Sequence, residues 1–107
     1  MKRYGSIIRV IPEKLEEYKR LHAAAWPTVL KIIRECNIRN YSIYYRDGLL
    51  FSYYEYIGTD YEADMAKMAA DPETQRWWEV TDPCQQPIET ATKGEWWAGM
   101  KEVFHTE

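Results

Sequence analysis

Two histidines are the only side chains in this sequence whose ordinary pKa suits proton transfer at neutral pH. His22 follows Tyr18 by four residues, so a helix would place both side chains on one face, whereas His105 lies near the end of the sequence. That helix face is also the apolar one, where a lone histidine is more often structural than catalytic. Aromatic residues that could share a pocket with His22 favour a role as general acid or base. They are Tyr18, Trp26 and the Trp77-Trp78 pair.

Adjacent tryptophans occur twice, and we expect the two pairs to differ in role. Trp77 and Trp78 fall in a predicted helix, where neighbouring side chains point about 100° apart, so one would pack while the other lines a cleft. The alternative is a helix end wedged between two layers. Trp96 and Trp97 fall in a predicted strand, whose side chains alternate between faces, and we interpret that pair as mainly structural.

Aromatic residues make up 15% of the chain, with nine Tyr, five Trp and two Phe. Such side chains suit carbohydrate, because sugar C–H groups stack on the rings while sugar hydroxyls take hydrogen bonds. The competing interpretation, in which the aromatics only fill the core, is equally consistent with composition alone.

Several other kinds of chemistry lack their sequence signals. The two histidines and the isolated Cys36 and Cys84 show no metal-ligand spacing, and no glycine-rich phosphate loop or serine nucleophile motif is present. We therefore expect no metal and no cofactor. Fourteen Lys and Arg against 17 Asp and Glu leave a net charge of −3, which argues against nucleic-acid binding. No stretch approaches the roughly 18 apolar residues of a membrane helix, so we expect a cytoplasmic protein with two free thiols.

The elements that must position these residues follow the order β-α-β-β-α-β in one domain, residues 1–107. Strands are predicted at 3–10, 38–45, 49–57 and 95–104, with a hairpin turn at Asp47-Gly48. The first helix begins at Pro12, restarts at Pro27 and stops near Asn37. The second is capped near residues 59–60, is interrupted at 71–73 and ends near residue 80, and a loop covers 81–94.

This order predicts an α+β fold of ferredoxin-like topology, with two helices on one face of a four-stranded sheet. The other face carries aromatic residues and is costly to expose, so we expect a homodimer formed through the sheet face or edge. The C-terminal segment with Phe104 and His105 is expected to reach the partner. The alternative is that the open face forms a sugar pocket within one subunit and that the tail is disordered.

A set of short motifs, in register over nearly the whole chain, resembles the L-rhamnose mutarotase family. The sequence differs from the family pattern at three places. Ala23 follows the histidine, Thr28 follows Trp-Pro, and the loop that begins at Thr81 also differs. The motifs are EEYKRLH with Tyr18 and His22, HAAAWP with Trp26-Pro27, the run Asn40-Tyr41-Ser42-Ile43-Tyr44 before a Leu-Leu-Phe strand, Arg76-Trp77-Trp78, and Glu102-Val103-Phe104.

The resemblance implies a dimeric α+β barrel and a cofactor-free enzyme that interconverts the anomers of L-rhamnose or a related deoxy sugar. It implies that His22 is the proton donor and that Tyr18, Tyr41, Trp77 and Trp78 contact the sugar. Ring opening at C1 and reclosure need a second proton carrier, for which Tyr41, a carboxylate or water are candidates. The rival hypotheses are a cofactor-independent or haem-degrading oxygenase of the same architecture, and a non-catalytic barrel that binds a small ligand.

Overall fold

Five antiparallel strands form one sheet in the computed structural model, which describes residues 1–107. Their order is β2-β3-β1-β4, and β5 also pairs with β1, which is the ferredoxin-like arrangement expected from the sequence. The short strands β4 and β5 share the second edge of β1, where they pair with residues 9–10 and 5–7. The strands are β1 (Lys2–Val10), β2 (Ile38–Arg46), β3 (Leu49–Tyr56), β4 (Gln85–Gln86) and β5 (Ala98–Met100).

Four helices, rather than two, cover one face of the sheet, because each predicted helix is divided before a proline. Pro27 and Pro72 occupy the first helical position, and the residue before each is extended, as proline requires of its neighbour. Asp60 and Asp71 cap the two later helices by accepting hydrogen bonds from backbone N–H groups three residues on. The helices are α1 (Leu15–Ala23), α2 (Pro27–Glu35), α3 (Tyr61–Ala70) and α4 (Pro72–Thr81), and 3₁₀ turns occupy Pro12–Lys14 and Asp82–Cys84.

The predictions for the last quarter of the chain were wrong in two respects. The predicted loop at 81–94 contains β4, and the predicted strand at 95–104 is reduced to β5, so that Trp96 and Trp97 precede the strand. The cause is the Glu95 carboxylate, which accepts hydrogen bonds from the backbone N–H groups of Thr92 and Gly99. These local bonds give the backbone an alternative to the sheet ladder, and they close a turn where a strand was expected.

A β-bulge in β2 changes which side chains face the helices. Arg39 pairs with Glu55 and Ser42 with Tyr53, so Asn40 and Tyr41 together oppose the single residue between those two partners. Asn40 has φ of 51°, a left-handed conformation that asparagine tolerates better than most residues. The extra residue shifts the alternation by one, and Tyr41 thereby turns to the helical side of the sheet.

The hydrophobic core lies between β1, β3 and α1. Ile8, Val10 and Leu50 from the sheet pack against Tyr18 and the free thiol Cys84, and all five are buried. The opposite face carries no helix. No helix of the chain has both the length and the apolar character needed to cross a membrane.

Replacing Asn40 with valine should lower the free energy of unfolding by about 1–3 kcal/mol, because a β-branched residue is strained at positive φ. Asn40→Gly should stay within about 1 kcal/mol of the parent. Both variants lose the side-chain hydrogen bond from Asn40 to Glu55, so their difference isolates the backbone effect. Urea denaturation measures it, and equal losses in the two variants would contradict a role for the left-handed conformation.

Candidate active site

A cavity of about 920 Å³ lies between the sheet and the four helices. Twenty of its 28 lining residues are hydrophobic, and a few polar groups converge among them, as is typical of small-molecule sites. The five side chains that the sequence singled out all line this cavity. They are Tyr18, His22, Tyr41, Trp77 and Trp78.

His22 is held by its own helix in a defined tautomer. Its Nδ1 lies 2.8 Å from the backbone oxygen of Tyr18, one turn earlier in α1. Because a carbonyl oxygen can only accept, Nδ1 carries the proton and donates, which leaves Nε2 unprotonated in the neutral ring. Burial lowers the pKa of His22, and the bond to the carbonyl opposes this only in part. The ring is therefore mainly neutral at pH 7, with Nε2 available as a base.

Aromatic rings fix the orientation of the imidazole. The Tyr18 ring centroid lies 4.1 Å from that of His22, and the Trp77 ring meets the imidazole edge-on at 5.2 Å. Trp26, just before α2, meets Trp77 in the same edge-on manner at 5.2 Å. Contacts at these distances restrict the rotation of His22 without adding a charge beside it.

Tyr18 is the one buried residue of α1. Only 4% of Tyr18 is exposed, and its oxygen accepts a hydrogen bond of 3.1 Å from Nε2 of Gln85. Burial raises the pKa of this phenol, and the nearby Tyr41 hydroxyl raises it further. Tyr18 therefore stays protonated at neutral pH and is able to donate a hydrogen bond to a ligand.

Trp77 and Trp78 on α4 differ in burial as the helical spacing indicates. Trp77 is 7% exposed and packs between His22 and Trp26, whereas Trp78 is 38% exposed. Tyr41, on the bulge of β2, is 44% exposed, and its ring lies 5.4 Å from that of Tyr54. The cavity thus has tryptophans on its helical wall and tyrosines on its sheet wall.

Sequence reasoning missed the part of the cavity that follows α4. Trp96 and Trp97, interpreted as a structural pair on opposite strand faces, both line the cavity, and Trp96 Nε1 donates a 2.8 Å hydrogen bond to Gln85. Asp82 is the one carboxylate among the lining residues, and burial raises its pKa. The sequence around these residues has no helical or strand period, because they lie in turns and beside a two-residue strand.

Metal ligands do not gather anywhere in the chain, since no group of three or more His, Cys, Asp or Glu side chains is arranged to hold an ion. The chemistry that the cavity can perform with its own residues is proton transfer, by one neutral imidazole beside a protonated phenol. A ferredoxin-like sheet with such a cavity under its helices defines a small α+β protein with a mostly apolar pocket that holds an imidazole beside a phenol.

Comparison with known proteins gives the family. The model of the L-rhamnose mutarotase family matches residues 3–106, and this chain belongs to that family of sugar isomerases. It is 30% identical to the L-rhamnose mutarotase of Oceanobacillus iheyensis over the whole length of both chains. It is 36% identical to the Bacillus subtilis protein of the same name, over 78% of this chain and 79% of the other.

Solved structures support the same fold. The L-rhamnose mutarotase of Formosa agariphila has a TM-score of 0.78 at 17% identity, with full coverage of both chains. Tetracenomycin F2 cyclase of Streptomyces glaucescens, a type-II polyketide cyclase, has a TM-score of 0.69 at 16% identity, covering all of this chain and 97% of the other. At such identities the likeness concerns the fold alone.

His22 should titrate below its ordinary pKa of about 6.5, because burial disfavours the imidazolium. Its neutral form should carry the proton on Nδ1. Long-range ¹H–¹⁵N correlation spectra between pH 4 and 9 measure both properties, and a His105→Gln variant assigns the two rings. An Nε2-protonated tautomer, or titration above the ordinary value, would contradict this description of the site.

Proposed function

We propose that this protein interconverts the α and β anomers of L-rhamnose, with His22 as the residue that carries a proton to and from the anomeric oxygen. The observation that carries the proposal is the hydrogen bond from Nδ1 to the Tyr18 carbonyl, which leaves Nε2 as the free ring nitrogen in the cavity. Both relatives are L-rhamnose mutarotases, which supports the same sugar.

In the proposed reaction Nε2 of His22 removes the proton of the anomeric hydroxyl. The C1–O1 bond becomes a carbonyl as the bond from C1 to the ring oxygen breaks, and the ring oxygen receives a proton. After rotation about the C1–C2 bond, the ring oxygen loses that proton and attacks the other carbonyl face. The imidazolium then donates its proton to O1, so His22 acts as proton donor in the closing step and no proton is gained or lost.

Tyr18 is our candidate for the group at the ring oxygen. Its hydroxyl remains protonated, and it lies on the same helix face one turn before His22. Trp77, Trp78 and Tyr41 then offer apolar surfaces for the C–H groups and the C6 methyl of the sugar, and they exclude water. Asp82 is the alternative second carrier, as the one carboxylate that lines the cavity.

Replacing His22 with asparagine should reduce anomer exchange by about 10²–10⁴-fold, the usual contribution of a general acid or base. The asparagine amide can still donate to the Tyr18 carbonyl, but it places no base where Nε2 was. Saturation-transfer NMR on L-rhamnose measures the exchange, and near-ultraviolet circular dichroism checks the fold. His105→Asn, outside the cavity, is the matched control and should keep full activity.

Exchange at the parent rate in His22→Asn would contradict the assigned role. If Asp82 rather than Tyr18 served the ring oxygen, Asp82→Asn would lose activity to a similar degree, whereas Tyr18→Phe would lose little. A panel of free sugars in the same assay identifies the preferred substrate. A coloured preparation that exchanges no sugar would favour the rival haem-protein hypothesis, and ligand binding without exchange would favour a binding protein.

The proposal includes a homodimer that covers the face of the sheet opposite the helices. Ile7, Phe51 and Tyr53 on that face are only half buried. An exposed apolar surface of this kind is uncommon in monomers, and two-fold dimers are the usual solution. The tail after residue 101 has no regular structure, and Phe104 in it is 78% exposed, so a partner subunit offers it a place to bury. We place this dimer in the cytoplasm, where the free thiols of Cys36 and Cys84 stay reduced.

Sedimentation velocity at micromolar concentration should give twice the chain mass of 12.8 kDa. Phe51→Lys should shift the protein toward monomer, because it places a charge at the centre of the covered face. Val80→Lys, a similar change on α4 outside both the cavity and this face, should leave the dimer intact. Removal of residues 103–107 should weaken association. A parent protein that sediments at 12.8 kDa would contradict the dimer.

A further inference from the structure

We propose that Gln85 and Trp96 are positioning residues that hold the Tyr18 hydroxyl as a hydrogen-bond donor toward the sugar. The inference rests on the proposed function in one respect, that Tyr18 contacts the substrate. Neither residue belongs to the motifs by which the sequence resembles its family, and Gln85 lies in the loop from Thr81 that departs from it. Their effect on the reaction is exerted through Tyr18.

The direction of the hydrogen-bond chain follows from the chemistry of its first member. The indole Nε1 of Trp96 can only donate, and it lies 2.8 Å from an oxygen of the Gln85 amide. This contact fixes which end of the amide faces Trp96, an assignment that is otherwise ambiguous for glutamine. The amide nitrogen must then face the other way, where it lies 3.1 Å from the Tyr18 hydroxyl oxygen.

The consequence falls on the single proton of Tyr18. An amide N–H can only donate, so the Tyr18 oxygen is the acceptor in that bond. Its own O–H has no acceptor elsewhere in the chain, since the bond from Gln85 is the only hydrogen bond that this hydroxyl makes. The proton is therefore free for an acceptor in the cavity, and the ring oxygen of a bound sugar is such an acceptor.

The fold holds both positioning residues firmly. Gln85 is 6% exposed and lies in β4, where it pairs with Val10 of β1. Trp96 lies within the turn that the Glu95 carboxylate closes by accepting from the backbone N–H groups of Thr92 and Gly99. The indole and the amide are thus placed by separate backbone contacts, and both side chains line the cavity beside Tyr18.

Gln85→Glu tests the direction of the chain while keeping the shape of the side chain. A carboxylate only accepts, so it would take one hydrogen bond from Trp96 and a second from the Tyr18 O–H, which turns that proton away from the sugar. We expect kcat/KM for L-rhamnose anomer exchange to fall roughly tenfold or more at pH 8, as for a lost hydrogen bond at a buried group. Gln86→Glu is the matched control. It adds the same charge at the next residue, which is exposed and outside the cavity, and it should leave kcat/KM unchanged.

The pH dependence separates positioning from a structural defect. When the introduced carboxyl is protonated, it can again donate to Tyr18 while its other oxygen accepts from Trp96. The ratio of variant to parent kcat/KM should therefore rise toward one as the pH falls through the pKa of that carboxyl, which NMR titration of the variant measures. The ratio for Gln86→Glu should stay flat, because its carboxylate lies outside the cavity and leaves the titration of His22 as it is in the parent.

A second variant, Trp96→Phe, tests the same hydrogen-bond chain even if Gln85→Glu does not fold. Without the indole N–H the amide is free to turn over, and we expect a loss of roughly two- to fivefold in kcat/KM. The dissociation constant of L-rhamnose, measured by saturation-transfer difference NMR, gives a readout besides activity and should rise in both variants. A parent that binds L-rhamnose without exchanging it would overturn the proposed function, while the affinities would still test the positioning.

Two results would overturn the inference. One is parent-like kcat/KM and affinity in a folded Gln85→Glu or, where that variant does not fold, in Trp96→Phe. The other is a loss in Gln85→Glu that does not change as the pH passes through the pKa of the introduced carboxyl, since a merely structural role predicts the same defect in both protonation states.

Discussion

The site depends on one hydrogen bond within a single helical turn, from Nδ1 of His22 to the backbone oxygen of Tyr18. This bond selects the tautomer of the imidazole, and the same spacing brings the two rings to 4.1 Å. One turn of α1 therefore places an imidazole and a phenol side by side on one helix face. The sheet, α4, Gln85 and Trp96 add walls around that pair.

Burial shifts the pKa values of His22 and Tyr18 for the same reason, which is that removal of water disfavours the charged form of each side chain. An imidazole loses its charged form when water is removed, and a phenol keeps its neutral one, so a single apolar cavity makes His22 a base and Tyr18 a donor. No opposite charge pairs with either group, and no hydrogen bond from Asp82 reaches them. An uncharged sugar that needs protons moved at two oxygens is well matched to such a neutral pair.

Local signals allowed much of this structure to be predicted. The spacing of Tyr18 and His22, the prolines that begin α2 and α4, and the Asp47-Gly48 turn each act within a few residues, and the strand order follows from their sequence. Residues 85–97 could not be predicted in this way, because contacts with residues far away in the sequence place them. Gln85 is a strand residue only because β1 offers an edge, and Trp96 lies beside it only because the Glu95 carboxylate closes a turn. Neither effect produces a periodic pattern of apolar residues from which the structure could be predicted.

The bulge in β2 also protects the folding chain from aggregation through its edge strand. β2 is the outer strand of the sheet, and an outer strand with regular backbone groups is a template on which other chains can aggregate. The left-handed Asn40 interrupts that row, and Arg39 and Arg46 place charges along it. At the opposite edge, β4 and β5 are too short to recruit a partner. A substitution that removed the bulge from β2 would turn Tyr41 away from the cavity. It would also leave a regular edge strand on which other chains can pair, so the same bulge supports both the shape of the site and the solubility of the protein.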